Sequence, residues 1–331
     1  MRYWWVNQNQ TFRQEIEGGY LWSPKRSKNG HRNPFYEFMR EAAPGDIVFS
    51  FRDTRIAALG IVTGYCRESP KPDEFGNAGA NWSQIGWRVG VHWKTLANPI
   101  RPKDHIAALR PELGNKYAPL TLAGNGLQGV YLTAVSARLA ATLFALIGSD
   151  ALGVAEVADD IQRTERDAPA PERDIEEWEQ RVEVAIAADA SIPETERAAL
   201  VKARRGQGLF RDNVHLIERA CRITKVERME HLIASHIRPW RDSDNGQRLD
   251  GENGLLLTPT MDHLFDKGFI SFEDSGELIV SPVADPVSLL RMGIDRDARA
   301  NVGKFSQGQR HYLDFHRENV LRMARGSARG S

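Results

Sequence analysis

The stretch from residue 207 to residue 278 constrains the fold more than any other part of the chain. LIASHI (232–237) is a short apolar, β-prone run, which Pro239 and the polar DSDNGQ (242–247) break into a loop. GLLLT (254–258) reads as a second short strand. Pro259 and Thr260 punctuate, and TMDHLFDKG (260–268) has a helical pattern ended by Gly268. The order is strand, loop, strand, helix. Its chemistry stands at three stations: His236 on the first strand, Asn253 in a turn, and Asp262, His263 and Asp266 on the helix.

That set suits hydrolysis of a phosphodiester. Such a reaction needs a base for water, a cation for the charge on phosphate and leaving oxygen, and a group that holds the base in one orientation. Imidazole titrates near neutrality, so His236 is a candidate base. Asp262 and Asp266 are four apart and share one helix face. Two carboxylates so placed suit a hard divalent ion such as Mg²⁺ or Mn²⁺. Asn253 can bond backbone groups and hold the hairpin that carries His236. Each residue also has an ordinary reading: a core histidine, a turn asparagine, a solvated helix face. The three in order, each at its station, favour the chemical one.

These residues resemble the HNH endonucleases with a ββα-metal fold, in the branch that carries the motifs standing here as ASHIRPW (234–240), ENGLLL (252–257) and LFDKG (264–268). The resemblance covers roughly a quarter of the chain. It implies His236 as general base, Asn253 as the orienting asparagine, and Asp262 and Asp266 as metal ligands. Many members carry an acidic or histidine ligand just before the base, where this chain has Ser235. Ser235 acting through water, Glu230, His231 or His263 remain the alternatives for that ligand.

With 331 residues, the chain is long enough for two or three domains. Its mean hydropathy of −0.46 and the lack of an 18-residue apolar run exclude a spanning helix. Gln and Asn in MRYWWVNQNQ interrupt any signal-peptide core, so a cytoplasmic protein is expected. Only Cys66 and Cys221 are present, too few for a Cys₄ zinc site. The formal net charge is zero but unevenly spread: residues 1–154 hold 18 basic and 12 acidic side chains, residues 155–198 hold 5 and 14, and residues 199–331 hold 21 and 18. Both flanks can therefore offer basic faces to phosphates.

Residues 1–150 alternate strands with short helices. Strands are expected at RYWWV (2–6), PGDIVFSFR (44–52), IAALGIVTGYC (56–66), WRVGVHWKTL (87–96) and VYLTAVS (130–136), and helices at 34–42, 103–113 and 137–148. A small twisted barrel with helical plugs fits this order. The segment resembles an EVE domain of the PUA-like group, on its YWW, PGDIVFSF, ALGIVTGY, GWRVGVHWKTL and NPIRPKDHI motifs. GYLWSPKRSKNGHRNP (19–34) reads as a long basic loop departing from that pattern.

Aromatic faces stack on nucleobases, and an enclosed aromatic pocket suits a base rotated out of the duplex. Trp22 and Trp82, in polar Gly- and Asn-rich surroundings, are the leading candidates. Trp5 shares even odds with Trp4, since adjacent strand residues face opposite ways. Phe51, Arg52 and Asp53 end a strand at the expected rim. Asn81 and Asn125 could read a base edge, although turn roles fit them better. Lys25, Arg26, Arg238 and Arg241 are expected at the DNA backbone.

Residues 151–200 read as an acidic helical linker, with a break at APAPE (168–172), an exposed helix over 173–190, and a second helix over 191–205 capped by Ser191. VHLIERACRI (214–223) reads as a supporting helix, 269–281 as a hairpin turning at Asp274-Ser275-Gly276, and 310–326 as a basic-striped helix with surface histidines His311 and His316. The expected whole is an α+β protein: a PUA-like/EVE β-barrel domain (1–150), the linker (151–200), and a ββα-metal HNH domain (201–331). By resemblance to modification-dependent, type IV-like restriction endonucleases, it would read a flipped 5-methylcytosine or 5-hydroxymethylcytosine in double-stranded DNA and cut as a homodimer. A nuclease reading RNA or unmodified nucleic acid, or a non-catalytic binder, are the alternatives.

Overall fold

A computed structural model describes residues 1–323 apart from 115, 128, 165–172 and 296–299; the APAPE break and the tail beyond 323 lie outside these residues. The chain divides into two compact units, at residues 175 and 176.

The first unit carries β1 (Tyr3–Asn7), α1 (Phe12–Gly18), β2 (Tyr20–Pro24), α2 (Pro34–Glu37), β3 (Ile47–Arg52), β4 (Arg55–Val62), β5 (Arg67–Pro70), β6 (Ile85–Ile100), α3 (Ile106–Leu109), β7 (Leu132–Val135), α4 (Ala137–Ile147) and α5 (Val154–Thr164). Its seven strands form one mixed sheet in the order β2-β6-β4-β3-β1-β7, with β5 on β6 and only β1–β3 parallel. The sheet curls until its two ends meet: the Tyr131 hydroxyl, just before β7, lies 3.0 Å from the Trp22 amide of β2. Trp4 and Trp5 face opposite sides, as alternation requires, yet both are fully buried, because helices and loops cover both faces. Ser136 caps α4 by accepting from Leu139 N at 3.0 Å.

Two expectations change here. The basic loop at 19–34 begins as strand β2, paired from Tyr20↔Gly90 to Pro24↔Gly86. Its Trp22 and Lys25 are buried rather than displayed. Strand β6 is also longer than read and runs on to Ile100 across Pro99, where the ladder with β4 shifts register.

The second unit carries α6 (Arg173–Ala188), α7 (Glu194–Arg204), α8 (Leu209–Ile217), β8 (Ile233–His236), α9 (Asn245–Leu249), β9 (Gly254–Leu257), α10 (Pro259–Asp266), β10 (Ile270–Phe272), β11 (Leu278–Val280), α11 (Pro286–Arg291) and α12 (Gln307–Asn319). One core joins them, from Leu200 and Phe210 through Leu255–Leu257 to Phe265, Phe272 and Leu313. The expected linker is therefore split. Val154 and Ala158 of α5 pack in the first unit, whereas Ile186 of α6 and Leu200 of α7 pack in the second. Ser191 hydrogen-bonds Asp189 and does not cap α7. Helix α8 ends at Ile217, so residues 218–223 are not helical as expected. Among the described residues no single helix is long and apolar enough to cross a membrane.

His316, expected at the surface, is buried. Its ring stacks on Phe265 at 3.9 Å, its Nε2 donates to the Phe265 carbonyl at 3.0 Å, and its Nδ1 accepts from the Ser271 hydroxyl at 2.9 Å. It thus ties α12 to α10. His316→Ala removes a stack and two buried hydrogen bonds, an expected loss of about 3 kcal/mol in urea unfolding.

Candidate functional sites

The first site is built on β8, β9 and α10. His236 pairs with Gly254 and Ser235 with Leu255 across the β8–β9 hairpin. A Cβ at Gly254 would lie 2.2 Å from Val214 and 3.0 Å from Phe210, so the missing side chain lets α8 close on the hairpin. Phe210 then lies flat on the His236 ring, centroids 3.7 Å apart and planes 2° from parallel. His236 Nε2 is 3.0 Å from the Arg248 carbonyl. A carbonyl only accepts, so Nε2 carries the proton and Nδ1 keeps the lone pair. Burial pushes the imidazole down to about 4, which keeps it neutral, the form a general base needs.

Asn253 is wholly buried, and its side-chain hydrogen bonds go to Arg238, Ser243 and Gln247 rather than to His236. Its Oδ1 accepts from Arg238 N at 2.7 Å, while Nδ2 donates to the Gln247 carbonyl at 3.0 Å and the Arg238 carbonyl at 3.2 Å. It therefore fixes the start of the loop and the α9 turn bearing Arg248. The Arg248 guanidinium lies over Trp240 at 4.1 Å and donates to its carbonyl at 3.0 Å. The line of support runs from Asn253 through α9 to the Arg248 carbonyl and His236.

Asp262 and Asp266 lie one turn apart on α10, and both act on the hairpin. The Ser235 hydroxyl hydrogen-bonds Asp262, and the Asp266 charge is felt by Asp262 and His236. Burial, reinforced by Asp266, raises the Asp262 carboxyl above its ordinary value. Asp262, whose charged form burial and the Asp266 charge disfavour, and Asp266 one turn away form a donor set that a hard divalent cation would relieve, with water completing its shell. Among the described residues no third carboxylate, imidazole or thiolate gathers with them into a metal-binding set. Ser235 is committed to Asp262, and His263 is exposed on the helix, its ring 6.4 Å from Phe269. Glu230 pairs with Arg228 and His231 at the strand's entrance.

The basic residues expected at phosphate divide. Arg238 lies over Phe315 at 4.3 Å and donates to the Asp242 carbonyl. Arg241 is nearly buried, 3.0 Å from Glu179 of α6, so it serves the fold rather than DNA. Lys25 is likewise buried, paired with Glu68 and 5.0 Å from the Trp87 ring centroid. Arg26 stays partly exposed, with Nη1 donating to the Gly30 carbonyl.

The second site is aromatic. Trp22 and Trp82 stack, centroids 6.0 Å apart and planes 28° from parallel, with Phe75 edge-on to both at 5.8 and 6.3 Å. With Tyr20 they form a cluster separate from the two main cores. Glycines make the seats: a Cβ at Gly86 would meet the Trp22 ring at 2.4 Å, and one at Gly79 the Trp82 ring at 2.0 Å. Trp22 Nε1 donates to the Ser69 carbonyl, and the neighbouring Ser23 hydroxyl is buried without a partner. Trp5 and Phe51, expected in the same pocket, instead stack on each other at 5.1 Å within the core under α4. Arg52 and Asp53 pair at 2.9 Å at the β3–β4 turn, where Asp53 and Thr54 have φ of +47° and +67°. Asn125 accepts from Lys103 in its loop, and Asn81 is exposed. Phe75 and Tyr20 escaped the sequence reading. The i,i+2 spacing of Tyr20 and Trp22 was the available signal, since it puts both on one strand face.

Residues 221–273 match the family model described as HNH endonuclease, a span holding His236, Asn253, Asp262 and Asp266. No curated protein matches the chain. Among solved structures, a protein from Pseudomonas syringae is 16% identical, covers 44% of this chain and 99% of its own, and has a TM-score of 0.29. The YTH domain of Zygosaccharomyces rouxii MRB1, solved with N6-methyladenosine RNA, is 8% identical over 44% of this chain and 86% of its own, TM-score 0.30. The DUF55 domain of human thymocyte nuclear protein 1 is 15% identical over 44% and 98%, TM-score 0.30.

Proposed function

We propose that the chain is a divalent-metal-dependent DNA endonuclease that cuts on recognising a modified cytosine, 5-methylcytosine or 5-hydroxymethylcytosine. The observation that carries the nuclease half is His236, held neutral with Nδ1 as its basic nitrogen beside Asp262 and Asp266 in an HNH endonuclease domain. Nδ1 takes a proton from water. The resulting hydroxide attacks phosphorus, the bond to the leaving oxygen breaks, and that oxygen takes a proton from solvent water while Nδ1 returns its own to solvent, giving a phosphomonoester and a hydroxyl. Asp262 and Asp266 would hold Mg²⁺ or Mn²⁺, which when bound neutralises charge on the phosphate and leaving oxygen. Arg238 is the remaining candidate for the DNA backbone beside this site, and Arg26 for the base-reading unit.

The Trp22–Trp82 pair supports the recognition half. A base stacked on both rings needs about 7 Å, twice the ~3.4 Å rise per base, so Trp82 must swing outward on its loop. Stacking of one base on an aromatic ring contributes about 1–3 kcal/mol. One catalytic site per chain calls for two copies, or two binding events, to cut both strands.

Matched plasmids with and without methylated cytosine, incubated with Mg²⁺ or Mn²⁺, test this. Wild type is expected to cut only the methylated plasmid, and Trp82→Ala to lose at least about tenfold of that preference. Equal cutting of both plasmids by wild type removes the modification reader and keeps the nuclease.

A further inference from the structure

The first unit buries an acid that neither reading above employs. Glu15 of α1 is fully buried, and both its oxygens are taken up by neutral donors. Oε1 accepts from the Tyr131 hydroxyl at 2.5 Å and the Trp22 amide at 2.8 Å. Oε2 accepts from Gln8 Nε2 at 2.5 Å and the Thr11 hydroxyl at 3.1 Å. Gln8 is in turn fixed by the Ser50 hydroxyl at 2.5 Å. The Trp22 amide points away from β6, so Glu15 covers an open strand edge and joins β2 to the other end of the sheet through Tyr131.

A neutral side chain could cover an edge amide at less expense. A buried carboxylate among four donors and no cation is costly to ionise, and burial pushes Glu15 up to about 7. The titratable groups facing it are Tyr131, raised by burial and by Glu15, and Tyr20, raised by burial and by its Glu74 partner. Thr11 just before α1, Gln8 after β1 and the β2 backbone contribute only neutral donors. Protonation turns one acceptor site into a donor, which the Thr11 or Tyr131 hydroxyl can rotate to accept, and it leaves the Trp22 amide with a neutral, weaker acceptor in place of a charge-assisted one.

We propose that Glu15 is a positioning residue of the Trp22–Trp82 clamp, and that its ionised carboxylate is what holds Trp22 in line to grip a flipped base. The proposal rests on the base-clamp reading given above. It makes discrimination of a modified duplex pH-dependent, strong when Glu15 is ionised and weak when it is protonated.

Two measurements on the full chain separate the proposal from that reading. Near-ultraviolet circular dichroism of wild type is expected to change as pH rises from about 6 to about 8.5, with a midpoint near the Glu15 value of about 7. The change should vanish in Glu15→Gln and in Trp82→Ala. Glu15→Gln should fold, with a Tm at pH 8 no lower than wild type, because it buries no charge. Equilibrium binding of short duplexes with and without one 5-methylcytosine should give wild type a preference about tenfold greater at the upper pH, and Glu15→Gln a low preference flat in pH. A wild-type dichroism signal flat in pH, or unchanged in Glu15→Gln, overturns the proposal whatever the DNA does. A titrating signal with no preference for modified duplex at any pH overturns the base-clamp reading, and with it the role of Glu15 in recognition.

Discussion

Replacing His236 by alanine lowers metal-dependent DNA cleavage by about 10³-fold or more while leaving duplex binding within a factor of a few. The size follows from the tautomer. Nε2 is spent on the Arg248 carbonyl at 3.0 Å, so Nδ1 is the nitrogen left to take a proton from water. Alanine also uncovers Phe210, whose ring lies 3.7 Å from the imidazole, so some loss of stability accompanies the loss of rate. Rate per folded molecule is therefore the quantity to measure, with the folded fraction taken from unfolding curves. His236→Gln fills part of the space and serves as the matched control, equally slow but more stable. The pH profile adds a second check. Because burial pushes the imidazole down to about 4, wild-type cleavage should not fall as pH drops through the ordinary histidine range near 6.5. A fall centred there would mean that the imidazole titrates as if free of the Phe210 ring and the Arg248 carbonyl. Wild-type rates from His236→Ala would remove His236 as the base altogether.

Asn253→Ala is expected to destabilise the second unit by about 3 kcal/mol and to reduce kcat without a matching rise in KM. Asn253 is fully buried, and its amide satisfies the Arg238 amide and the carbonyls of Arg238 and Gln247. Alanine leaves those part-buried groups without the amide that satisfies them. The rate effect is indirect. Once α9 loosens, the Arg248 carbonyl no longer fixes His236 Nε2, and the imidazole can adopt the wrong tautomer. Asn253→Asp should do no better, since its carboxylate keeps the acceptor for Arg238 N but turns an acceptor toward two carbonyls. Urea unfolding reads the stability. Single-turnover cleavage separates the chemical step from binding. An Asn253→Ala protein as stable and as fast as wild type would reduce the residue to an ordinary turn asparagine.

The local structure around His236 was largely legible because its elements are contiguous in sequence. Strand, loop, strand and helix follow one another within about thirty residues, with punctuation at Pro239, Pro259 and Gly268. Gly268 shows why such a stop is readable: its φ is +69°, and a Cβ there would lie 2.1 Å from the Val320 carbonyl. A four-residue spacing places Asp262 and Asp266 on one face of a helix whatever surrounds it.

What the sequence could not supply was covering. Lys25 and Arg241 were expected at the DNA backbone, yet Lys25 is buried against Glu68 and Arg241 is nearly buried against Glu179, both partners far along the chain. Trp22 and Trp82 come together in one small cluster, whereas Trp5 and Phe51 belong to another core. The acidic helix α6 was read as solvated, although Glu179 and Glu183 of one face pair with Arg204. His316 was read as a surface residue and proves to brace α10, the helix that carries Asp262 and Asp266. Period and spacing report which residues share a face. Whether that face meets water or protein depends on elements distant in sequence. The sequence alone thus determined the order of elements and the residues that could do chemistry. Tertiary structure decided which nitrogen of His236 keeps its lone pair and which cations are already paired. It also decided which aromatics come together, because each of those depends on packing between segments that no local pattern encodes.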